Sequence, residues 1–523
     1  MKIRKLMQIA VIPFCVILLA TPALAKEAGT ITVAIKIDAD ALDPAQVGTL
    51  QSIVATSALY DTLVTFKGDT PEVIDSLAES WDVSEDQKTI TFHLRKGVKF
   101  HNGEELTAED VKYSYTRLIK TELRDTGLKL AKLVADDGFI VQDKYTFVMK
   151  LKKPTPRIFS TLTSQLGYGI VSKSYVEKHA TEEDPYALKW MSANAMGTGP
   201  WKLDKWSKGE KLILKRNDAY WGEKPGFDTL VLNVIPDPTT AQMMLEIGDV
   251  DMALDLTMDQ YQALEKTRGM KVTDFPTLRT VYMYMNAQKE PFGSVKVRKA
   301  LNYAVNHGEL IEFVELGKAQ RSYGILAKGS TGWDPEIEPK YEYNPEKARS
   351  LLREAGYPDG FKTSLIVSVP RHAPYETMLP YLISYFGDVG VEVKVQKLAW
   401  TALFGKLKNG DFEISLFSWN PYDPTTVPLH YYDSERWKAN LGWNFAYWED
   451  GRFDDLVRKA ADNMNPDERY AQYKEADRIA AENAVTIPLY QLKKTIAVRE
   501  DIGGIDWHPT IWYKGFKNLH RKQ

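Results

Sequence analysis

Apolar and polar residues alternate with a period of two from Thr30 to Ile37 (TITVAIKI), which predicts a half-buried strand, and Leu42-Asp43-Pro44 then turns the chain into a loop. Ser52 to Tyr60 predicts a helix. Ser84-Glu85-Asp86 marks a turn, Thr89 to Leu94 alternates as a strand, and Asn102-Gly103 is a hairpin-type turn. Thr107 followed by Asp110 caps a helix that carries Val111, Tyr115 and Leu118 on one face. The glycine-rich turn Met196-Gly197-Thr198-Gly199-Pro200-Trp201 leads into alternating strands at Leu203 to Trp206 and Lys211 to Lys215. It lacks the third glycine and the following helix of a dinucleotide-binding loop, so it reads as structural. Thr229 to Val234 is another strand, and Pro236-Asp237-Pro238 precedes a helix from Thr239 to Ile247.

The second half repeats this mixture. Arg279 to Asn286 (RTVYMYMN) alternates as a strand, and Val297 to Val305 places Val297, Ala300, Leu301, Ala304 and Val305 on one helical face. Pro345 to Ala355 is a helix with proline in its first turn. Ser364 to Val369 and Val391 to Val395 are strands around a helix at Thr377 to Phe386. Phe412 to Phe417 is a strand, and Thr486 to Ala497 is strand-rich. Strands and helices interleave, so the class is α/β. A chain of 523 residues exceeds what one core usually holds, and two or more domains are expected.

The N-terminus follows a different grammar. Lys2, Arg4 and Lys5 precede an almost unbroken apolar run from Ile9 to Leu19, and Ala23-Leu24-Ala25 is a small-x-small cleavage site. This is the pattern of a secretory signal peptide, residues 1–25, with cleavage after Ala25. Its apolar run is too short for a stable membrane span, which needs about 20 residues. The single cysteine, Cys15, lies inside it, preceded by Ile12-Pro13-Phe14 rather than the small residues of a lipoprotein signal. The expected product is an unanchored periplasmic protein without disulfides that relies on large apolar cores. Removing the signal, with its three cations and no acid, takes the formal charge from -3 to -6, which argues against a nucleic-acid partner.

Catalytic signatures are missing. There is no G-x-S-x-G elbow, no H-E-x-x-H helix and no C-x-x-C pair, and the eight histidines are scattered without ligand spacing. Neither an enzyme, a cofactor nor a bound metal is expected, although a convergent triad is defined only in space. Binding has more material: 13 Trp and 27 Tyr can enclose a ligand.

Read in order, SEDQKTITFHLRKGVKFHNGEELTAEDVKYSYTRL, GTGPWKL, NDAYWGEKPGFDTLVLNVIPDPTTAQMMLEIGDVDMA, VRKALNYAVN and YNPEKARSLLREAGY resemble the peptide, dipeptide and nickel family of periplasmic binding proteins. The resemblance runs from about residue 30 to about residue 500. It implies a receptor for an ABC importer with the α/β fold of a two-lobed periplasmic binding protein, of type II and of the large class with an extra inserted subdomain. The ligand would be enclosed between the lobes, and the receptor would act as a monomer with the membrane permease as its partner. On that pattern the large lobe covers residues 26–286, with an inserted subdomain at about 61–185. The smaller α/β lobe covers 287–488, and 489–523 return to the large lobe, with crossings near Ala287 and Pro488.

The loop Phe417-Ser418-Trp419-Asn420-Pro421-Tyr422-Asp423-Pro424 follows a strand and bunches aromatic, amide and acid groups without periodicity, which makes Trp419, Asn420, Tyr422 and Asp423 ligand candidates. In peptide-binding branches, the resemblance implies an aspartate at the position of Asn420, paired with the ligand ammonium. Asparagine supplies only a neutral hydrogen bond there, about half as strong. Asp423 either shapes the turn or, with the loop shifted, supplies the missing charge. Arg371 resembles the arginine that holds a ligand carboxylate in dipeptide receptors, and is otherwise a solvated surface group. Tyr375 and Trp400 are further wall candidates or core. The nickel branch would need arginines near Leu162 to Tyr168, where there are none, and His430 stands at a different spacing from that branch's histidine. A small peptide is therefore the expected solute, with an opine, a modified amino acid or a nickel chelate as alternatives.

Overall fold

The longest strand, Met270–Met285, and its antiparallel partner Thr486–Arg499 lie at the centre of an eleven-stranded sheet. They appear in a computed structural model that describes residues 29–121, 123, 125–368, 374–419, 427–438, 443–510, 512–513 and 515–522. Across the sheet, Val391–Lys397, Phe361–Val367 and Ile414–Trp419 lie on one side of the central pair. Met252–Ala253, Thr30–Ile35, Thr229–Val234, Lys211–Arg216 and Trp201–Ser207 lie on the other, and the short Ala319–Gln320 also pairs with Thr486–Arg499.

Side-chain packing divides this sheet into two bodies. Met270, Val272, Phe275, Ile496, Ala497 and Val498 pack into the cores around Thr30–Ile35. Val281, Met283 and Met285, with Ile487, Leu489, Tyr490 and Leu492, fill a second core under helices Val295–Ala304 and Pro374–Gly387. Tyr282 and Tyr284 point to the opposite face, where helices Gly451–Asp462 and Pro466–Glu482 pack. Each central strand thus changes core part-way along its length. Pairing is lost at the same level: Pro276 lies opposite Lys493, and the ladder resumes only at Thr280 opposite Gln491. Ala287, at one expected crossing, packs against the core that contains Tyr282, and Pro488, at the other, pairs with Tyr282.

A third core belongs to residues between Ala45 and Ile170. Here the antiparallel sheet Ala78–Val83, Thr89–Leu94, Thr146–Leu151, Val134–Asp143 is covered by helix Ala108–Lys120, which buries Val111, Tyr115 and Leu118 as the periodicity predicts. Asp110 secures the helix start by accepting from the Thr107 N–H at 2.9 Å and the Lys173 N–H at 3.0 Å. This core is tied to the first by buried polar contacts. Arg117 donates to both oxygens of Asp43, at 2.8 and 2.6 Å, and neither side chain is more than 2% exposed. Asp61 accepts from Thr198, Tyr220 and Trp221, and burial outweighs these bonds to raise its pKa. Gly197 and Gly199 cross the end of helix Leu50–Leu59 so closely that a Cβ on either would meet the Leu59 backbone.

Candidate functional site

Strand direction alone locates a crevice. Thr30–Ile35 runs parallel to Thr229–Val234 and to Met252–Ala253. Met252–Ala253 and Met270–Met285 are both antiparallel to Thr486–Arg499, so these first-body strands point their carboxyl ends toward the second body. In the second body, Ile414–Trp419 runs antiparallel to Met270–Met285 and parallel to Phe361–Val367, which is itself parallel to Val391–Lys397. Their carboxyl ends point back toward the first body. Open α/β sheets bind ligands outside the carboxyl ends of their strands, and here two such edges face each other across the break in pairing.

Several groups gather on the second-body edge. The Arg279 Nε–H donates to Ser418 Oγ at 3.2 Å, one residue before the end of Ile414–Trp419. Beside it, the Tyr490 hydroxyl donates to Glu315 Oε1 at 2.6 Å, and Tyr375 is a further neighbour of Tyr490. Burial, then Glu315, push the Tyr490 hydroxyl well above the usual tyrosine pKa, so it remains a donor. On the other face of the strand, Trp400 stacks on Phe417 with ring centres 5.5 Å apart and leans on Phe404 at 5.3 Å. Phe404 contacts Trp443, which is 39% exposed, so this aromatic wall presents one side to solvent.

A cationic seam lies where the third core meets the second body. Arg157, from the short helix Arg157–Leu162, places a guanidinium nitrogen 3.1 Å from Nε2 of His430, from helix Val427–Tyr431. Burial and the charges of Arg157, Arg436 and Lys129 hold the His430 pKa down at about 3, so its imidazole is neutral. Arg436 sits one short helix away, with its Nε–H on the Leu429 carbonyl at 3.3 Å. An exposed ion pair, Lys153 to Asp462 at 2.8 Å, bridges the same junction.

The residues singled out from the sequence distribute as follows. Trp419 ends the strand Ile414–Trp419 opposite Thr280, on the crevice edge. Tyr375 lies in helix Pro374–Gly387, 2% exposed in the second-body core beside Tyr490. Arg371, Asn420, Tyr422 and Asp423 lie outside the described residues, as do Cys15 and the N-terminal segment through Ala25. The described residues stop at Ser368 and resume at Pro374, and stop at Trp419 and resume at Val427. Arg279 and Arg157 were missed as candidates. Arg279 opens the alternating run RTVYMYMN with a charge on the face that Val281 and Met283 bury, and that mismatch was the available signal.

Residues 72–439 match the family described as bacterial extracellular solute-binding proteins, family 5 Middle. The chain is similar to the probable D,D-dipeptide-binding periplasmic protein DdpA of Escherichia coli K12, with 28% identity over 482 residues, covering 91% of this chain and 90% of that protein. It is also similar to the dipeptide-binding protein of the same organism, at 29% identity over 469 residues, covering 85% and 86%. Among solved structures, DppA of Helicobacter pylori in complex with the peptide STSA superposes with a TM-score of 0.72 at 28% identity, over 95% of this chain and 98% of that one. HbpA2 of Haemophilus parasuis superposes with a TM-score of 0.85 at 25% identity, over 94% and 100%.

Proposed function

The chain belongs to the bacterial extracellular solute-binding proteins of family 5, and on that premise we propose that it is the periplasmic receptor of an ABC importer, capturing a small peptide between its lobes for delivery to the permease. The observation that carries this reading is the pair of facing carboxyl edges, with both connecting strands losing their pairing at one level. A break there lets the two bodies rotate while each keeps its own core, as hinge closure requires. We place the lobe boundaries within 276–280 and 492–496, with the third core as the inserted subdomain at about 61–185 of the larger lobe. The dipeptide names of the relatives favour a peptide solute. Arg371, Trp419, Asn420, Tyr422 and Asp423 are its proposed contacts, with Tyr375 behind them.

One observation favours a second reading. Asn420 stands where the family resemblance implies an aspartate, so a solute without a free ammonium, such as an opine, a modified amino acid or a metal chelate, would suit that position better than a peptide N-terminus. Mass spectrometry of the solute that co-purifies from the periplasm separates these readings. A set of short peptides supports the first, and a single non-peptide metabolite or a chelate supports the second. Small-angle scattering should show compaction on adding the identified solute, whereas conversion of that solute into products would replace the receptor by an enzyme. N-terminal sequencing of the exported protein should begin at Lys26, and light scattering should give the mass of a monomer.

A further inference from the structure

We infer that Lys318 is a positioning residue of the hinge: its ammonium ties the second body to the first at the level of the ladder break and limits the lobe angles of the solute-free receptor. The inference rests on the receptor reading above and adds a control element to its closure. The Lys318 backbone belongs to the second body. Its N–H donates to the Glu315 carbonyl at 2.8 Å, its carbonyl accepts from the Lys493 N–H at 3.1 Å, and Ala319 beside it pairs with Leu492 in the second-body core. Its side chain crosses to the first body. There the ammonium donates to Glu265, at the end of helix Met258–Glu265, and at 3.4 Å to Asp274 of Met270–Met285. That helix packs into a first-body core through Tyr261 and Leu264, and Asp274 accepts from the Thr495 hydroxyl at 2.8 Å. The Lys318 side chain is 9% exposed, against 42% for Glu265 and 26% for Asp274. Burial acts against its charge, and the two carboxylates outweigh burial to raise its pKa. Pro276 lies opposite Lys493 at this level, and pairing resumes only at Thr280. Rotation about the break moves the Lys318 backbone relative to both carboxylates, so a change of lobe angle has to stretch or break the tie. The same turn reaches the crevice, because Glu315 accepts from the Tyr490 hydroxyl at 2.6 Å.

Cys15 is the single cysteine and falls in the signal segment, so spin labels can be placed on the exported chain at Met243→Cys and Lys347→Cys. Both positions are exposed, the first on helix Pro238–Ile247 of the first body and the second on helix Pro345–Glu354 of the second. Double electron–electron resonance on the ligand-stripped protein reads the distribution of distances between the lobes. Lys318→Met should broaden it, raising the ratio of minor to major distances at least about fivefold, the upper end for an exposed ion pair, because this lysine is buried. The double variant Glu265→Gln with Asp274→Asn removes the charges from the opposite side and should broaden the distribution likewise, and Lys318→Arg should keep it narrow. Circular dichroism and the urea midpoint of each variant check that the fold is intact. A lysine with a merely structural role would lower the midpoint and leave the distribution as it was. An unchanged distribution in the folded Lys318→Met protein, or in the double acid variant if that lysine variant does not fold, would overturn the tie. A pool of mixed dipeptides and tripeptides, added to the labelled protein with Lys318 intact, tests the receptor reading separately. A distance that shifts with the pool, beside an unchanged Lys318→Met distribution, would overturn the tie and leave peptide capture standing. A broadened Lys318→Met distribution with no shift on adding the pool would keep the tie and overturn peptide capture.

Discussion

Asp43 and Arg117 are the place where a single atom-level change should be felt across the larger lobe. Their charges are about 4 Å apart between centres, and at an effective dielectric near 20 the attraction is about 4 kcal/mol. Asp43→Ala leaves the Arg117 guanidinium buried with the Tyr186 carbonyl, at 3.1 and 2.9 Å, as its remaining described acceptor. Arg117→Met leaves the carboxylate with the Ala45 N–H at 3.1 Å and the Gln46 amide at 2.8 Å. Stranding either ion should cost about 3 to 5 kcal/mol, because water cannot replace the lost partner at this depth. The double variant Asp43→Leu with Arg117→Met strands no charge and should lose at least about 2 kcal/mol less than the two single losses added together. Equilibrium urea unfolding of the ligand-free protein, followed by both circular dichroism and tryptophan fluorescence, measures all three. If either single variant loses less than about 1 kcal/mol with an unchanged denaturant slope, the pair is not structural in the sense argued here.

Three further outcomes are expected. Asp477 is fully buried, with its carboxyl pushed up to about 7 by desolvation, whereas the unfolded value is about 3.9. The folded state therefore holds a proton that the unfolded state has released, so stability falls as pH rises between those values; Asp477→Asn should remove roughly 2 to 3 kcal/mol of the difference between about pH 5 and about pH 8, read from urea midpoints. Gln491 is 2% exposed beside the break in the ladder, where its amide donates to the Thr277 and Lys328 carbonyls and accepts from the Lys328 N–H at 2.9 Å. Gln491→Ala should cost about 1 to 3 kcal/mol and raise hydrogen exchange at the Lys328 N–H before the rest of the sheet; uniform exchange would contradict a local role. Asp110→Ala removes the acceptor for the Thr107 and Lys173 N–H groups and should cost about 0.5 to 2 kcal/mol, with Asp110→Asn recovering part of it.

Where the chain writes its structure locally, the reading was close. Thr229–Val234 was found to the residue, and helices 108–120, 238–247 and 345–354 carry their caps in Thr107, Asp237 and Asn344. Other elements depend on distant partners. The first part of Met270–Met285 reads KVTDFPTLR, with a proline and three charges, and becomes a strand because Thr486–Arg499 offers it a partner. Helix Pro466–Glu482 opens with the legible pair Asn465-Pro466, but its buried face is largely alanine, with Ala476, Ala480 and Ala481. That face, which also carries Tyr473 and Ile479, acquires meaning only against the aromatic residues across the core. The strand that precedes the loop expected at Phe417 to Pro424 was legible, and it ends at Trp419; the loop beyond it lies outside the described residues. The seam was not legible, because Arg157 and His430 are 273 positions apart and unremarkable alone.

The buried cations of the two junctions are held differently. Arg117 donates to both oxygens of Asp43, and neither side chain is more than 2% exposed. Where the third core meets the second body, Arg157 stands 3.1 Å from a His430 that burial and the neighbouring cations keep neutral, and burial lowers the Arg436 pKa despite Asp433 nearby. The exposed Lys153 to Asp462 pair at that junction contributes little, because both ions remain solvated. Breaking Asp43 from Arg117 should therefore cost far more than breaking Lys153 from Asp462, since only the first leaves an ion stranded away from water.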